Sequence, residues 1–138
     1  MELKELIKRH NLRPTSNRLE VLKFYRKAGK AVSHGELDAE LGEQFDRITL
    51  YRTLKAFEDA GILHKVYDEK GIVRYSMCSH DCDNTQHQDN HIHFHCTSCE
   101  ATFCIENVEI PQVQIPQNLI VESRYMVING TCNNCKRA

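Results

Sequence analysis

Over the first sixty residues the apolar positions recur at helical spacing, broken at intervals by glycine and proline. Leu3, Leu6 and Ile7 share one face of a short segment, 2–9, which Asn11 and Pro14 interrupt. Leu19, Val21, Leu22, Phe24, Tyr25 and Ala28 give a broad buried face to a helix over about 16–28, capped by Thr15 or Ser16 and stopped at Gly29. Ser33 and Glu36 have capping-box spacing and start a helix over 33–41, with Leu37 and Leu41 inward and Gly42 at its end. Leu50, Leu54 and Phe57 form the buried stripe of a further helix from about Asp46 to Ala60, broken by Gly61. The period then changes to that of strands. His64–Tyr67 and Ile72–Met77 flank Asp68-Glu69-Lys70-Gly71, a hairpin turn. Helices followed by a two-stranded hairpin predict a winged helix-turn-helix, its last helix entering the major groove and its hairpin serving as the wing.

Beyond residue 80 the pattern is sparser. His91, His93 and His95 alternate with Ile92 and Phe94, so a strand there carries imidazoles on one face and apolar groups on the other. Leu119, Val121, Tyr125 and Val127 predict a strand within Asn118–Ile128. A short helix around Val108–Gln114, shortened by Pro111 and Pro116, is expected to cover that sheet. The expected fold class is α/β of the α+β kind. A winged-helix DNA-binding domain spans 1–80, a linker 81–90, and a small α/β dimerisation domain 91–138.

Charge and cysteine usage divide the chain in the same place. Residues 1–77 hold 15 Lys and Arg against 12 Asp and Glu, whereas residues 78–138 hold 3 against 7. All seven cysteines and five of the eight histidines lie in the second part. Attraction to phosphate is therefore expected from the first module and metal chemistry from the second. No apolar run is long enough to cross a bilayer, and no charged-then-apolar stretch opens the chain as a secretory leader would. An odd number of cysteines, four of them in two CxxC pairs, fits reduced cytoplasm and bound metal better than structural disulfides.

The polar side of the 46–60 helix carries the candidate nucleic-acid chemistry. Thr49 and Arg52 are three apart, and Tyr51 and Lys55 four apart, which gives one cationic, hydrogen-bonding surface. Tyr51 and Arg52 are the candidates for base edges, and Arg13, Arg18, Arg47 and Lys55 for phosphates. The same layout also occurs in protein-interaction modules, where Tyr51 would pack on a neighbour and Arg52 would form a surface salt bridge. Two heads on a two-fold axis would read an inverted repeat, which predicts a homodimer on double-stranded DNA.

Cys96-Thr-Ser-Cys99 and Cys132-Asn-Asn-Cys135 each place two thiolates on a tight turn, and two such turns close a tetrahedral four-sulfur site suited to structural zinc. The alternative is a redox dithiol. It is disfavoured because the second pair starts no evident helix. A second group is separate. His64 begins the wing hairpin and Cys78 ends it, so hairpin pairing brings them together at the module junction. With His91 and His93 they form a nitrogen-and-sulfur set that again favours zinc, and an ion there would clamp one module to the other. His80, Cys82, His87, His95 and Cys104 are possible additional ligands, although His95 also reads as a strand residue supporting its neighbour Cys96.

LRPTSNRLEVL (12–22), ITLYRTLKAFEDAGI (48–62), HIHFHCTSC (91–99) and GTCNNC (130–135) together resemble the ferric uptake regulator family of bacterial metal-sensing repressors, over nearly the whole chain. The resemblance implies a winged-helix domain, an α/β dimerisation domain, a homodimer on inverted-repeat operators and metal-activated repression of uptake or stress genes. It sets Tyr51 and Arg52 on the family's recognition-helix pair, and Cys96, Cys99, Cys132 and Cys135 on its structural zinc cysteines. Iron- and peroxide-sensing members have a histidine where this chain has Ala31, a carboxylate where it has Cys104, and an acidic or polar ligand near Ser76. Ile92 and Arg124 stand where the family's additional site has other residues. His64, Cys78, His91 and His93 match the zinc-sensing pattern, with His64 in place of an Asp. The resemblance thus favours a zinc uptake regulator with regulatory Zn²⁺. A same-family iron or peroxide sensor using Fe²⁺ or Mn²⁺ is the alternative, and Cys78 with Cys82 keeps a thiol-redox role open. A zinc-stabilised interaction module is the reading from another class. An enzyme is not expected, since the chain has no HExxH and no assignable Ser/His/Asp arrangement.

Overall fold

A computed structural model describes residues 2–67, 70–77, 91–122, 124 and 126–136. Four helices come first: α1 (Leu3–Arg9), α2 (Ser16–Ala28), α3 (His34–Leu41) and α4 (Arg47–Ala60). The hairpin β1 (Leu63–Tyr67) and β2 (Val73–Met77) follows, then β3 (His91–Cys96), β4 (Thr102–Glu109), β5 (Met126–Gly130) and a single helical turn α5 (Asn133–Lys136).

Local chemistry sets the helix ends. Gly29 and Gly61 take left-handed backbone, with φ of 63° and 84°, and close α2 and α4. Asp46 accepts from the Thr49 amide at 2.6 Å, which holds its carboxyl below the usual range and fixes the start of α4. Ser33 and Glu36 form the expected capping box. Ser33→Ala removes its side-chain half and should cost about 1 kcal/mol in a denaturant titration; an unchanged midpoint would show the cap to be idle. Thr15 occupies the position before α2 but makes no capping bond, because its hydroxyl turns to Asn17 instead.

The core is built from α1 to β2. Ile7, Leu22, Leu37, Leu50, Leu54 and Phe57 are fully buried within it. Val32 ties the turn after α2 to the wing. Its N–H donates to the Tyr75 carbonyl at 2.8 Å, and its own carbonyl accepts from Tyr75 N–H and the buried Tyr25 hydroxyl. One residue earlier, Ala31 N–H donates to the Thr102 carbonyl at the start of β4, so this segment touches both the wing and the second sheet. Lys70 of the hairpin turn adds an ion pair to Glu100 at 2.9 Å.

The second sheet has the order β4-β3-β5. β3 and β4 are antiparallel, with Phe94 opposite Phe103 and His95 opposite Thr102. β3 and β5 are parallel, which sets Cys96 beside Gly130.

Three expectations for this region are corrected. No helix covers Val108–Gln114. β4 runs on to Glu109, and 110–116 lack regular structure, because Pro111 and Pro116 withhold amide donors and Val113 and Ile115 are β-branched. Among the described residues, the strand expected within Asn118–Ile128 is found at Met126–Gly130; Leu119 N–H instead closes a turn onto the Pro116 carbonyl. The expectation that the second CxxC opens no helix also fails, since α5 includes Cys135 and Lys136 N–H bonds to the Cys132 carbonyl at 2.9 Å.

Candidate metal centre and nucleic-acid interface

Parallel pairing of β3 with β5 brings two strand ends to the same edge. Each end leads directly into a CxxC turn, so the four cysteines converge from segments 33 or more residues apart in sequence. The Sγ atoms of Cys96, Cys99, Cys132 and Cys135 all lie within 4.8 Å of one another. A tetrahedron with metal–sulfur bonds of about 2.3 Å has sulfur edges of about 3.8 Å. The Cys99–Cys132 separation is 3.8 Å. Backbone N–H groups of Cys99 and Cys132 point at Cys96 Sγ, at 3.4 and 3.3 Å, and pull its thiol down to about 6. Cys135 is pushed in the opposite direction, to about 12, by hydrogen bonding to the neighbouring cysteine thiols. A cluster that already stabilises one thiolate and gathers four sulfurs at this spacing fits a metal ion rather than a pair of disulfides. Among the described residues it is the one such group.

Gly130 makes the convergence possible. A Cβ there would sit 2.9 Å from the Phe94 ring, while the Gly130 carbonyl accepts from Thr97 N–H in the first turn. Gly130→Ala should displace Phe94 and lower stability by about 1–3 kcal/mol. A melt of the metal-loaded chain indistinguishable from wild type would contradict this close approach.

The other expected ligands are less fully described. His64 on β1 and His93 on β3 are both buried, each 3% exposed. Cys78, His80, Cys82 and His87 lie outside the described residues, as does the His91 side chain, although its backbone is in β3. His95 Nδ1 meets Thr102 Oγ1 at 2.8 Å in a buried pair, which supports the strand rather than supplying that nitrogen to a metal. Cys104 is half-buried and directly opposite His93, so the two side chains share a sheet face. Ala31, where a ligand histidine could have stood, is buried against β4.

On α4, Thr53 and Leu54 face inward while Tyr51, Arg52 and Lys55 are exposed. Tyr51 packs its ring against His34 at 5.7 Å, and His34 in turn reaches the Arg47 carbonyl, so the tyrosine is braced at the surface. Lys55 pairs with Asp59 at 3.4 Å and approaches Glu58. It is thus partly neutralised within its own helix. Arg13 and Arg18 come from the α1–α2 turn and the first turn of α2. They meet Arg52 and Thr49 around a cleft of about 490 Å³. Sequence reasoning did not single out Ile48, which is 63% exposed on α4, or the polar partners Asn17 and Thr53, because both depend on how α2 and α4 cross.

Residues 9–129 match the ferric uptake regulator family. The chain belongs to that family. Members are metal-responsive, DNA-binding transcriptional regulators and not enzymes. The chain is 29% identical to a ferric uptake regulation protein of Bordetella parapertussis, covering 95% of this chain and 94% of that one. It is 28% identical to a zinc uptake regulation protein of Mycobacterium tuberculosis, covering 88% of each. Its fold superposes with a TM-score of 0.67 on a zinc uptake regulator solved with zinc and DNA, at 20% identity over 97% of this chain and 90% of that one. No helix among the described residues is long and apolar enough to cross a membrane.

Proposed function

We propose that this chain is a zinc-activated repressor of metal-uptake genes that binds inverted-repeat operators as a homodimer. Relatives named for iron and for zinc are both similar to it, so donor chemistry separates the two readings. The observation that carries the zinc reading is a pair of buried imidazoles, His64 in the wing and His93 in the central strand of the second sheet. Cys78 and His91 complete the set by sequence. Two or three nitrogens and a sulfur suit zinc, whereas iron and manganese favour oxygen donors. The four-cysteine centre is assigned structural zinc on the same grounds.

An ion in the regulatory set would supply a cross-link between the wing and β3. His64 is carried by a hairpin whose partner strand is tied to Val32, and His93 by the strand that ends at Cys96. Holding both fixes the winged-helix domain (1–80) on the dimerisation domain (91–138). The two recognition helices of a dimer then keep one spacing. Val113, Leu119, Ile120, Val121 and Ile128 are exposed apolar side chains of the second domain, with Ile120 93% exposed, and supply a face for the second copy.

Affinity for a palindromic operator should rise by about 5–150-fold on zinc loading, measured by fluorescence anisotropy with iron(II) and manganese(II) in parallel. Preferential activation by iron would favour the iron-responsive alternative. No duplex binding with or without metal would leave an interaction module.

A further inference from the structure

The segment between α2 and α3 faces two ways. Successive N–H groups donate to different modules, Ala31 to the Thr102 carbonyl at the start of β4 and Val32 to the Tyr75 carbonyl of β2. Ala31 and Thr102 are both buried. The Thr102 hydroxyl is engaged in turn by His95 on β3, so the acceptor belongs to a fixed part of the second sheet. A second contact crosses the same junction. Lys70 Nζ donates to Glu100 Oε1 at 2.9 Å, from the hairpin turn to the residue that follows Cys99.

Glutamate is an unusual residue for position 100. Its N–H donates to the Cys96 carbonyl at 2.8 Å, and the Cys96 N–H to the Ala101 carbonyl at 2.9 Å, which closes the first CxxC turn. The closure puts Glu100 in left-handed backbone, φ 64°, where glycine is favoured and a side chain is held at a cost. Glycine would serve the turn alone. What glutamate adds is a carboxylate at the wing, where it lies in the field of Arg74 as well as of Lys70. An exposed ion pair taken by itself contributes little. This one shares its junction with a buried backbone bond, and one of its ends is carried by the four-cysteine turn.

We propose that the first CxxC turn is a latch for the wing: Glu100 holds Lys70 and Thr102 holds Ala31, so the four-cysteine centre sets the resting position of the first module before any ion enters the regulatory set. The structural centre thus has a second part to play, as a positioning element for the DNA-reading head. The inference rests on the reading above, in which His64 and His93 share an ion, and deepens it. A junction that is already closed for part of the time leaves less motion for that ion to arrest, so the latch raises the apparent affinity for regulatory zinc in proportion to the closed fraction.

The test is amide hydrogen exchange, followed by NMR on the full chain with one zinc per chain. The Ala31 amide reports the junction, and the Val32 amide, bonded within the first module, is the internal reference. Glu100→Gln should speed exchange at Ala31 by about twofold to fivefold and leave Val32 unchanged. Glu100→Gly should do the same while melting no lower than wild type, since it relieves the left-handed backbone. Lys70→Glu should also speed Ala31, and Lys70→Glu combined with Glu100→Lys should restore its protection. Unchanged Ala31 exchange in folded Glu100→Gln and Glu100→Gly overturns the latch. So does a charge exchange that restores nothing, or Ala31 and Val32 accelerating together. A second arm follows zinc activation of duplex binding. In Glu100→Gln its midpoint should move to about twofold to fivefold higher free zinc. Faster Ala31 exchange with an unmoved midpoint overturns the link to the regulatory ion. Wild type that protects Ala31 yet shows no zinc activation overturns the regulatory reading and leaves the latch standing.

Discussion

Cys132→Ser should strip the structural metal from the chain and unravel the end of the second sheet. The residue supplies one of the four sulfurs that gather at this edge of the sheet. Structural zinc contributes on the order of 10 kcal/mol to small domains at neutral pH, and serine is a poor replacement for thiolate. Among the described residues the three-stranded sheet has no core comparable to the first module's, since the main buried cluster is drawn from residues 3–77. After dialysis against a chelator, wild type should retain one zinc per chain and the variant less than a tenth of that. The variant should also lose the cooperative melt of its second domain. Equal retention would mean that the four sulfurs do not form the site. Protons compete for the same sulfurs. The Cys96 thiol is depressed to about 6, so its stabilising contribution is present above the unfolded value of 9 and declines as pH falls through about 6. Zinc retention should therefore hold at neutral pH and fail in acid, which a metal-release titration with a colorimetric chelator would show.

Arg52→Ala should abolish tight binding to a palindromic operator while leaving the fold intact. The side chain is exposed on α4, beside the braced Tyr51. A bidentate contact to a base edge contributes about 1–3 kcal/mol, and a dimer loses it twice, so operator affinity should fall by roughly two orders of magnitude or more. Binding to random duplex should fall far less, because one charge per head is lost from a shared electrostatic surface. Equal losses on both duplexes would move Arg52 from base reading to phosphate contact. No loss on either would remove α4 from the interface.

Most of the first module was legible because its punctuation is local. Gly29 and Gly61 need left-handed backbone, Ser33 and Glu36 cap each other, and Asp46 caps α4, all within a few residues. The CxxC pairs were legible for the same reason, as each turn carries its own spacing. What the sequence did not display is non-local. Parallel pairing of β3 with β5 decides which ends meet, and no residue announces it. Thr102 was passed over because only the β3–β4 register makes it the partner of His95. The cleft between α2 and α4 needs the helix crossing before Asn17 and Thr53 acquire meaning. Residues 108–122 misled because valine, isoleucine and leucine at mixed spacing satisfy helix and strand patterns alike, and the prolines then favour neither.

The proposed role of an ion shared by wing and histidine strand is to tighten the grip on DNA. The direct measurement is operator affinity against free zinc for wild type and His64→Ala, with structural zinc quantified in both. Wild type should show a saturable rise within the 5–150-fold range that a coupling of about 1–3 kcal/mol gives. The variant should keep one zinc per chain and show a flat response. A variant that responds to zinc as wild type does, with the same metal content, would contradict the claim and leave metal only a structural part in this regulator.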